Sequence, residues 1–275
     1  MKKEIIIFFL TVFITVCNAE ENINIVKLPD YELISIKKLI DEISQKHIIF
    51  VGEQHSELSH HKFQLTIIEE IKRRGYKVAV GLEMFKERDQ NILDDWIKNK
   101  IDEATFIKKF YENWGSNWKL YGDIFKFAKD NKIPLIGLNV PKEITKKVGQ
   151  LGFQSLTQEE LKYLPPNVSC QIDKKYIDLL KSVFGHKSES NKNFNNFCEA
   201  QVLWDQAMAF YIDRFLKSNS EYKMVVLAGT IHSWKYGIPK QIQKYGKYKI
   251  LTIIQENPFL QRDITFEETD FFVIH

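Results

Sequence analysis

The stretch His47–His61, which reads HIIFVGEQHSELSHH, decides the fold of this 275-residue chain. Its apolar run, Ile48–Val51, has the length and the unbroken hydrophobicity of a strand that is buried on both faces of a parallel sheet. The run does not end in ordinary turn residues, because Glu53 and His55 follow it and two more histidines come close behind. Open parallel sheets bind ligands at the carboxyl ends of their strands. The stretch therefore predicts a central strand that leads into one wall of a site.

Five further apolar runs follow this strand and alternate with stretches of helical spacing. This alternation predicts an α/β fold with a mostly parallel sheet flanked by helices. The helical stretches at about 84–132 and 140–222 are longer than a crossover requires, so we expect these insertions to form a helical cap or subdomain. The further strands are predicted at Lys77–Leu82, Ile133–Asn139, Met224–His232, Tyr248–Ile254 and Phe271–Ile274.

Helical patterns lie on both sides of the first strand. Asp30 is typical of an N-cap, and the apolar residues after it predict an amphipathic helix that runs to Ile43. After the strand, Phe63–Arg74 has helical spacing, and Gly75 marks its end.

The amino terminus has the pattern of an export signal. Two lysines precede the largely apolar run Ile5–Val16, which is too short to span a bilayer as a helix. Two processing sites are open: cleavage after Ala19, which gives a signal peptide of residues 1–19, or lipidation of Cys17, which gives a signal of residues 1–16. In both cases we expect residues 20–275 to form one α/β domain, exported to the periplasm or the outer membrane.

Composition excludes some function classes. The net charge is only +3 and the lysines are spread along the chain, so nothing predicts a nucleic-acid partner. The sequence contains no Walker loop, no G-x-G-x-x-G, no G-x-S-x-G and no H-E-x-x-H. No C-x-x-C pair supports a cysteine-built metal site, and Cys170 and Cys198 are either one disulfide or two free thiols.

Polar side chains follow four of the predicted strands where each strand ends. In a parallel sheet these ends meet at one edge, so we expect the titratable ones to share a pocket. Two carboxylates and two imidazoles can hold a divalent metal, act as acid and base, or only hydrogen-bond one another. The strand-end residues are Glu53 and His55, Glu83, Asn139, and Thr230 with His232.

Two other stretches combine tyrosine with basic residues. The loop HSWKYGIPK, His232–Lys240, contains Tyr236, and the helical stretch YIDLLKSVFGHK begins at Tyr176. A tyrosine oxygen can ligate ferric haem iron, and histidine or lysine can pair with haem propionates. The alternative is that Trp234 and Tyr236 simply pack against the sheet.

Five segments follow one another in a specific order and spacing from about residue 48 to residue 239. They are VGEQHSELSHHKFQ (51–64), VGLEMF (80–85), WGSNWKLYGDIFKFAKDNKIPLIGLN (114–139), FCEAQVLWDQAMA (197–209) and LAGTIHSWKYGIP (227–239). Together they resemble the ChaN family of bacterial haem-binding lipoproteins. This family is similar to a wider group of erythromycin-esterase-like and TraB/Tiki-like proteins, whose G-x-x-H element resembles Gly229–His232 and whose two glutamates resemble Glu53 and Glu83.

The resemblance implies haem binding for bacterial iron acquisition at or near the outer membrane. It implies an iron-ligating tyrosine, either Tyr176 or Tyr236, in a cleft that a second subunit completes, and therefore a haem-linked homodimer. It also implies an outer-membrane haem receptor as a partner and a lipid anchor on Cys17, although Val16 is larger than the residue that usually precedes such a cysteine. The implied partners of the haem propionates are His186, His232, Lys187 and Lys235.

The competing hypothesis is a hydrolase, with or without a metal ion. Its catalytic groups would be the strand-end residues Glu53, His55, Glu83 and His232. The resemblance favours a binding protein over an enzyme.

Overall fold

The structure, a computed structural model, describes residues 23–115, 117–169, 173–184, 191–257 and 264–275. The strands are β1 Asn24–Lys27, β2 Glu32–Ile34, β3 Ile48–Glu53, β4 Lys77–Lys86, β5 Leu135–Asn139, β6 Tyr222–Gly229, β7 Ile250–Gln255 and β8 Phe271–Ile274. The helices are α1 Ile36–Ser44, α2 Leu58–Arg73, α3 Gln90–Ile97, α4 Glu103–Trp114, α5 Trp118–Asp130, α6 Lys142–Leu151, α7 Gln158–Leu161, α8 Lys174–Phe184, α9 Asn191–Ser218, α10 Thr230–Ser233 and α11 Ile238–Ile242.

The strands form one eight-stranded sheet in the order β2-β1-β8-β7-β3-β6-β4-β5. All neighbours from β8 to β5 run parallel, whereas β1 pairs antiparallel with both β8 and β2. The predicted α/β fold with a mostly parallel sheet is confirmed. Because β6 lies between β3 and β4, the carboxyl ends of these three strands are adjacent.

Helices cover both faces of the sheet, and β3 shows why its sequence is apolar throughout. Ile49 and Val51 pack into one core together with α1, α2 and the helices α3 to α5. Ile48 and Phe50 point the other way, into a core formed with α6, α9 and α11. Alternate residues of the strand therefore enter two separate hydrophobic layers.

The first helix begins later than the sequence predicts. Asp30 lies in a turn and Glu32–Ile34 is strand β2, so the expected N-cap at Asp30 is wrong. Ser35 is the cap instead, because its side chain accepts a hydrogen bond from the amide of Lys38. The chain stays extended before Ser35 because β2 hydrogen-bonds with β1.

Two other boundaries bear on the site. Helix α2 begins at Leu58, five residues before the predicted start, so His60 and His61 lie on a helix. Strand β6 ends at Gly229, and the following turn of helix α10 carries His232, which the sequence assigned to the strand.

Two sets of helices lie between strands of the sheet. Helices α3, α4 and α5 follow β4, and α6 to α9 lie between β5 and β6. Within the described residues, no helix has both the length and the apolar composition needed to cross a membrane. The predicted signal sequence, including Cys17, lies outside the described residues.

Candidate functional site

The carboxyl ends of β3, β4 and β6 bring together the predicted strand-end residues. Glu53 pairs with Gly229 in the register of β3 and β6, and Glu83 follows the paired residue Leu82 on β4. The hydroxyl of Thr230 donates to the carbonyl of Glu53 at 3.1 Å, and the Asn139 amide donates to the carbonyl of Glu83 at 2.7 Å. These side-chain hydrogen bonds link the end of β6 to β3 and the end of β5 to β4.

Glu53 is a buried carboxylate that accepts hydrogen bonds at both oxygens. Its Oε1 accepts from the hydroxyl of Tyr121 and from Nδ1 of His55, the latter at 2.7 Å. Its Oε2 accepts from the Gln64 amide at 2.8 Å, and His61 Nδ1 lies 3.5 Å away. Burial alone would raise the pKa of Glu53, but the hydrogen bonds and charges of the two histidines outweigh it and hold the pKa far below its usual range.

His55 connects this carboxylate to solvent, because its side chain is 44% exposed. Since an ionised Glu53 can only accept, His55 donates from Nδ1 and its Nε2 faces away from that carboxylate. Burial lowers the pKa of His55, but the Glu53 hydrogen bond and the charge of Glu83 raise it to about 9. The ring contacts Trp114 edge to face at 5.0 Å. It also lies against Gly229, where an added Cβ would be 3.3 Å from Nε2.

Glu83 and His232 lie beside His55. The backbone amide of Gly229 donates to Glu83 Oε2 at 2.6 Å, which fixes the carboxylate at the end of β6. The other oxygen, Oε1, is 3.8 Å from His232 Nε2. The structure thus places Glu53, His55, Glu83 and His232 together around Gly229, and we call these four residues the strand-end group.

A second carboxylate that the sequence did not single out holds His232 from the other side. Asp205 of α9 is fully buried, and its Oδ1 is 2.6 Å from His232 Nδ1. Its Oδ2 accepts from the hydroxyl of Tyr176 at 2.7 Å. Burial raises the pKa of Asp205, while the charges of Asp205 and Glu83 outweigh burial to raise the pKa of His232.

The site therefore contains two histidine–carboxylate pairs, Glu53–His55 and Asp205–His232, with Glu83 next to both. In each pair the carboxylate binds Nδ1, which leaves Nε2 as the atom able to exchange a proton with a ligand. No group of three or more His, Cys, Asp or Glu side chains in the described residues has the geometry of a metal site.

Tyr236 lies outside this group, at a separate cleft with a volume of about 290 Å³. Its hydroxyl donates to Glu267 Oε2 at 2.9 Å, and the Lys175 ammonium is 5.9 Å from the centre of its ring. Tyr236 is half-buried, whereas its neighbour Trp234 is fully buried and packs with Ile254.

The other predicted haem contacts are placed as follows. Tyr176 is 1% exposed, and its hydroxyl is bound to Asp205. Lys235 forms an ion pair with Asp270 at 2.7 Å and donates to the carbonyl of Phe266. His186 and Lys187 lie outside the described residues, as does Cys170, while Cys198 is a free, buried thiol.

Sequence reasoning missed Asp205, Tyr121 and Gln64 because each lies within a helix and meets its partner only through tertiary packing. One signal was present for Asp205. It is a charged residue inside the apolar segment Val202–Ala209, and a buried charge of that kind requires a partner.

The profile of a protein family described as "Haem-binding uptake, Tiki superfamily, ChaN" matches residues 39–242, well over half of the chain. Among solved structures, the fold is similar to ChaN of Campylobacter jejuni, described as binding haem cofacially, with a TM-score of 0.73 and 21% identity over 93% of this chain and 97% of that one. It is also similar to the type III effector HopBA1, with a TM-score of 0.55 and 13% identity over 86% of this chain and 90% of that one.

A third similar structure is a mutant of erythromycin esterase EreC in its open conformation, with a TM-score of 0.51 and 12% identity over 85% of this chain and 76% of that one. At these identities the structural likenesses show a shared fold. No curated protein sequence matches the chain significantly.

Proposed function

Since the chain belongs to the ChaN family of haem-uptake proteins in the Tiki superfamily, we propose that it binds haem for iron acquisition and that Tyr236 provides the iron ligand. The observation that carries the choice of residue is the position of Tyr236 at the wall of a cleft. A phenolate oxygen is an established ligand of ferric haem iron, so the residue type fits the group.

Tyr236 suits this role better than Tyr176 because a haem ligand must be reachable. The ring of Tyr176 is 1% exposed, and its hydroxyl already donates to the buried carboxylate of Asp205. Removing Tyr176 from Asp205 would leave a buried acceptor without its donor, which is costly. Tyr236 donates to Glu267, which is exposed, and water can replace that bond.

The cleft beside Tyr236 supplies both apolar and basic groups. Leu179 contributes an apolar surface, and Lys175 provides an ammonium group that can pair with a propionate. Lys175 is favoured for this because its ion pair with Glu267 lies on the surface, with the lysine side chain 63% exposed, whereas the pair of Lys235 with Asp270 is largely buried and His232 is buried against Asp205.

We further propose that a second copy of the chain completes the haem site. The cleft, at about 290 Å³, lies just below the range of volumes of pockets that enclose drug-sized ligands, about 300–1,000 Å³. It covers only part of a porphyrin, and a second subunit would cover the rest. Haem binding and dimerisation would then be coupled by mass action.

Export belongs to the same proposal. The basic and apolar pattern of residues 1–19 supports delivery to the periplasm, or to the outer membrane if Cys17 is lipidated. An outer-membrane haem receptor is the corresponding partner.

Titration with ferric haem tests the ligand. We expect wild type to develop a tyrosinate-type Soret spectrum and to sediment as a dimer once haem is bound. Tyr236→Phe should weaken binding at least about tenfold and change the spectrum, because the phenolate is lost. Lys175→Met should weaken binding without changing the spectrum.

Tyr176→Phe is the comparison variant: it leaves Asp205 without one donor and lowers stability, but the folded protein should retain the wild-type spectrum. If Tyr176→Phe loses the spectrum and Tyr236→Phe keeps it, the assignment of Tyr236 is wrong. If wild type binds no haem, the proposed function fails as a whole.

A second candidate function, hydrolysis, is favoured by the two histidine–carboxylate pairs that flank Glu83. In this reading Nε2 of one histidine activates water and the other protonates the leaving group. The test is turnover of a panel of nitrophenyl esters and peptides, with and without added divalent metal. His232→Asn should lower the rate about 100-fold or more, while Tyr236→Phe should leave it unchanged. An absence of turnover across the panel would eliminate this candidate.

A further inference from the structure

A second cleft lies between helix α9, helix α11 with the turn after it, and the segment at residues 166–167. Its volume is about 250 Å³, which suits a ligand of about one ring. None of the residues that line it also lines the cleft at Tyr236 or belongs to the strand-end group. One of its lining residues, Gln241 of α11, has a buried amide with an unpaired oxygen.

Gln241 is 6% exposed and lines this cleft. Its side-chain oxygen is buried and forms no hydrogen bond. A buried polar group without a partner is destabilising, and native proteins pair nearly all such groups. Turning the amide about its last bond exchanges its oxygen and nitrogen, so it can present either an acceptor or a donor. The cleft therefore contains a buried amide whose oxygen lacks a hydrogen-bond donor from the protein.

The wall of the cleft is held in place without help from a ligand. Gln206 of α9 forms two hydrogen bonds with the backbone of Ser169: it accepts from the amide at 3.0 Å and donates to the carbonyl at 2.6 Å. Asn167 adopts a left-handed conformation with φ +64°, which asparagine tolerates better than most residues. A preformed wall lowers the entropy that a ligand must lose to order its site.

The remaining lining residues define the chemistry. Phe210 and Tyr245 present two rings in edge-to-face contact at 6.0 Å. Lys244 provides a cation, and none of the residues that line the cleft is acidic. Burial and the charge of Lys240 lower the pKa of Lys244, and an anion placed beside the ammonium would oppose both effects by favouring its charged form.

We propose that this cleft binds a small aromatic carboxylic acid that carries a hydroxyl or N–H donor. The ring packs on Phe210 and Tyr245, the donor hydrogen-bonds the Gln241 amide, and the carboxylate pairs with Lys244. The site is independent of haem binding and stands whether or not the chain takes up haem.

The probes are 4-hydroxybenzoate, benzoate, which lacks the donor, and phenol, which lacks the carboxylate. Calorimetric titration of the purified protein should show saturable 1:1 binding of 4-hydroxybenzoate. Each of the other two probes should bind at least about tenfold more weakly, the expected effect of losing one such contact.

Variants locate the binding. Gln241→Met and Lys244→Met should each weaken binding of 4-hydroxybenzoate at least about tenfold. Lys98→Met is the matched control, since Lys98 pairs with Asp94 of α3, does not line the cleft and lies beyond the other face of the sheet, and it should bind as wild type does.

Thermal unfolding separates a ligand site from a structural role of Gln241. Because Met removes an unpaired polar group, we expect free Gln241→Met to melt at or above the wild-type temperature but to lose the shift caused by 4-hydroxybenzoate. The proposal is overturned if no probe binds saturably, if binding survives both substitutions, or if free Gln241→Met is clearly less stable than wild type.

Discussion

Glu53 offers only acceptors to the donors around it, from Tyr121 and His55 at one oxygen and from Gln64 at the other. Glu53→Gln replaces one oxygen with an NH₂ group, which meets a donor whichever way the amide is turned. We expect the free energy of unfolding to fall by about 2–4 kcal/mol, measured by urea denaturation at pH 7.

Glu83→Gln is the control for this substitution. One Glu83 oxygen accepts from the amide of Gly229, and the other is 3.8 Å from His232, so a glutamine can keep the first bond. The free energy of unfolding of Glu83→Gln should therefore fall by only about 1 kcal/mol or less. Equal losses in the two variants would contradict the central role assigned to Glu53.

At the level of residues, the sequence predicts which strand ends carry titratable groups but not what these groups bind. Glu53, Glu83 and His232 were foreseeable because parallel strands place their carboxyl ends at one edge. The Nδ1 partner of His232 was not, because Asp205 lies in the middle of a helix and its position depends on how α9 packs against β6. The spacing of apolar residues in a helix identifies its buried face, but it does not identify which residues that face contacts.

Helix α4 offers a test of a helix start that is stabilised by a side-chain cap. Asp102 is its N-cap, and the carboxylate accepts from the amide of Thr105 at 2.7 Å. Asp102→Ala removes this acceptor and should lower the free energy of unfolding by about 1 kcal/mol. Asp102→Asn retains a cap oxygen and should lose much less. Identical losses by urea denaturation would show that the cap contributes nothing.

Other elements were misjudged because their cause is remote in sequence or locally silent. Strand β1 forms by pairing with β8, near the other end of the chain, so no local pattern announces it. Helix α2 begins at Leu58 without a side-chain cap from Glu57, which removes the usual start signal. The first miss comes from a tertiary contact, and the second from a helix start that lacks a side-chain cap.

For the molecule as a whole, the buried histidines set the dependence of stability on pH. His60 is 1% exposed, its Nδ1 accepts from the amide of Gln54, and burial together with His275 and His61 lowers its pKa to about 4. A histidine with a lowered folded pKa stabilises fully above its unfolded pKa, near 6.5, and loses this contribution as the pH falls towards 4. We expect a loss of at most about 3 kcal/mol over this window.

His60→Asn tests this acid limb, because the Asn oxygen can still accept from Gln54 but does not titrate. The variant should be less stable at pH 7 and should show a shallower fall in unfolding free energy between pH 6.5 and 5, where most carboxylates remain ionised. A wild-type slope in the variant would show that other groups cause the acid sensitivity.

Above pH 6.5 the free energy of unfolding depends on the strand-end group, and the contribution of His55 is lost as the pH rises. The folded pKa of His55 is about 9, raised above the unfolded value by Glu53 and Glu83 against the effect of burial. The contribution of His55 to stability is therefore complete below pH 6.5 and is lost as the pH rises to 9. The 44% exposure of its side chain limits this contribution to about 1 kcal/mol.

His55→Gln should flatten the dependence of the unfolding free energy on pH between 6.5 and 9. His47→Gln is the control and should leave this dependence unchanged, because the pKa of His47 is lowered and it titrates below pH 6.5. If both variants keep the wild-type curve, His55 is not held as a cation by Glu53 and Glu83, and the proton donor of the hydrolase candidate would have to be His232.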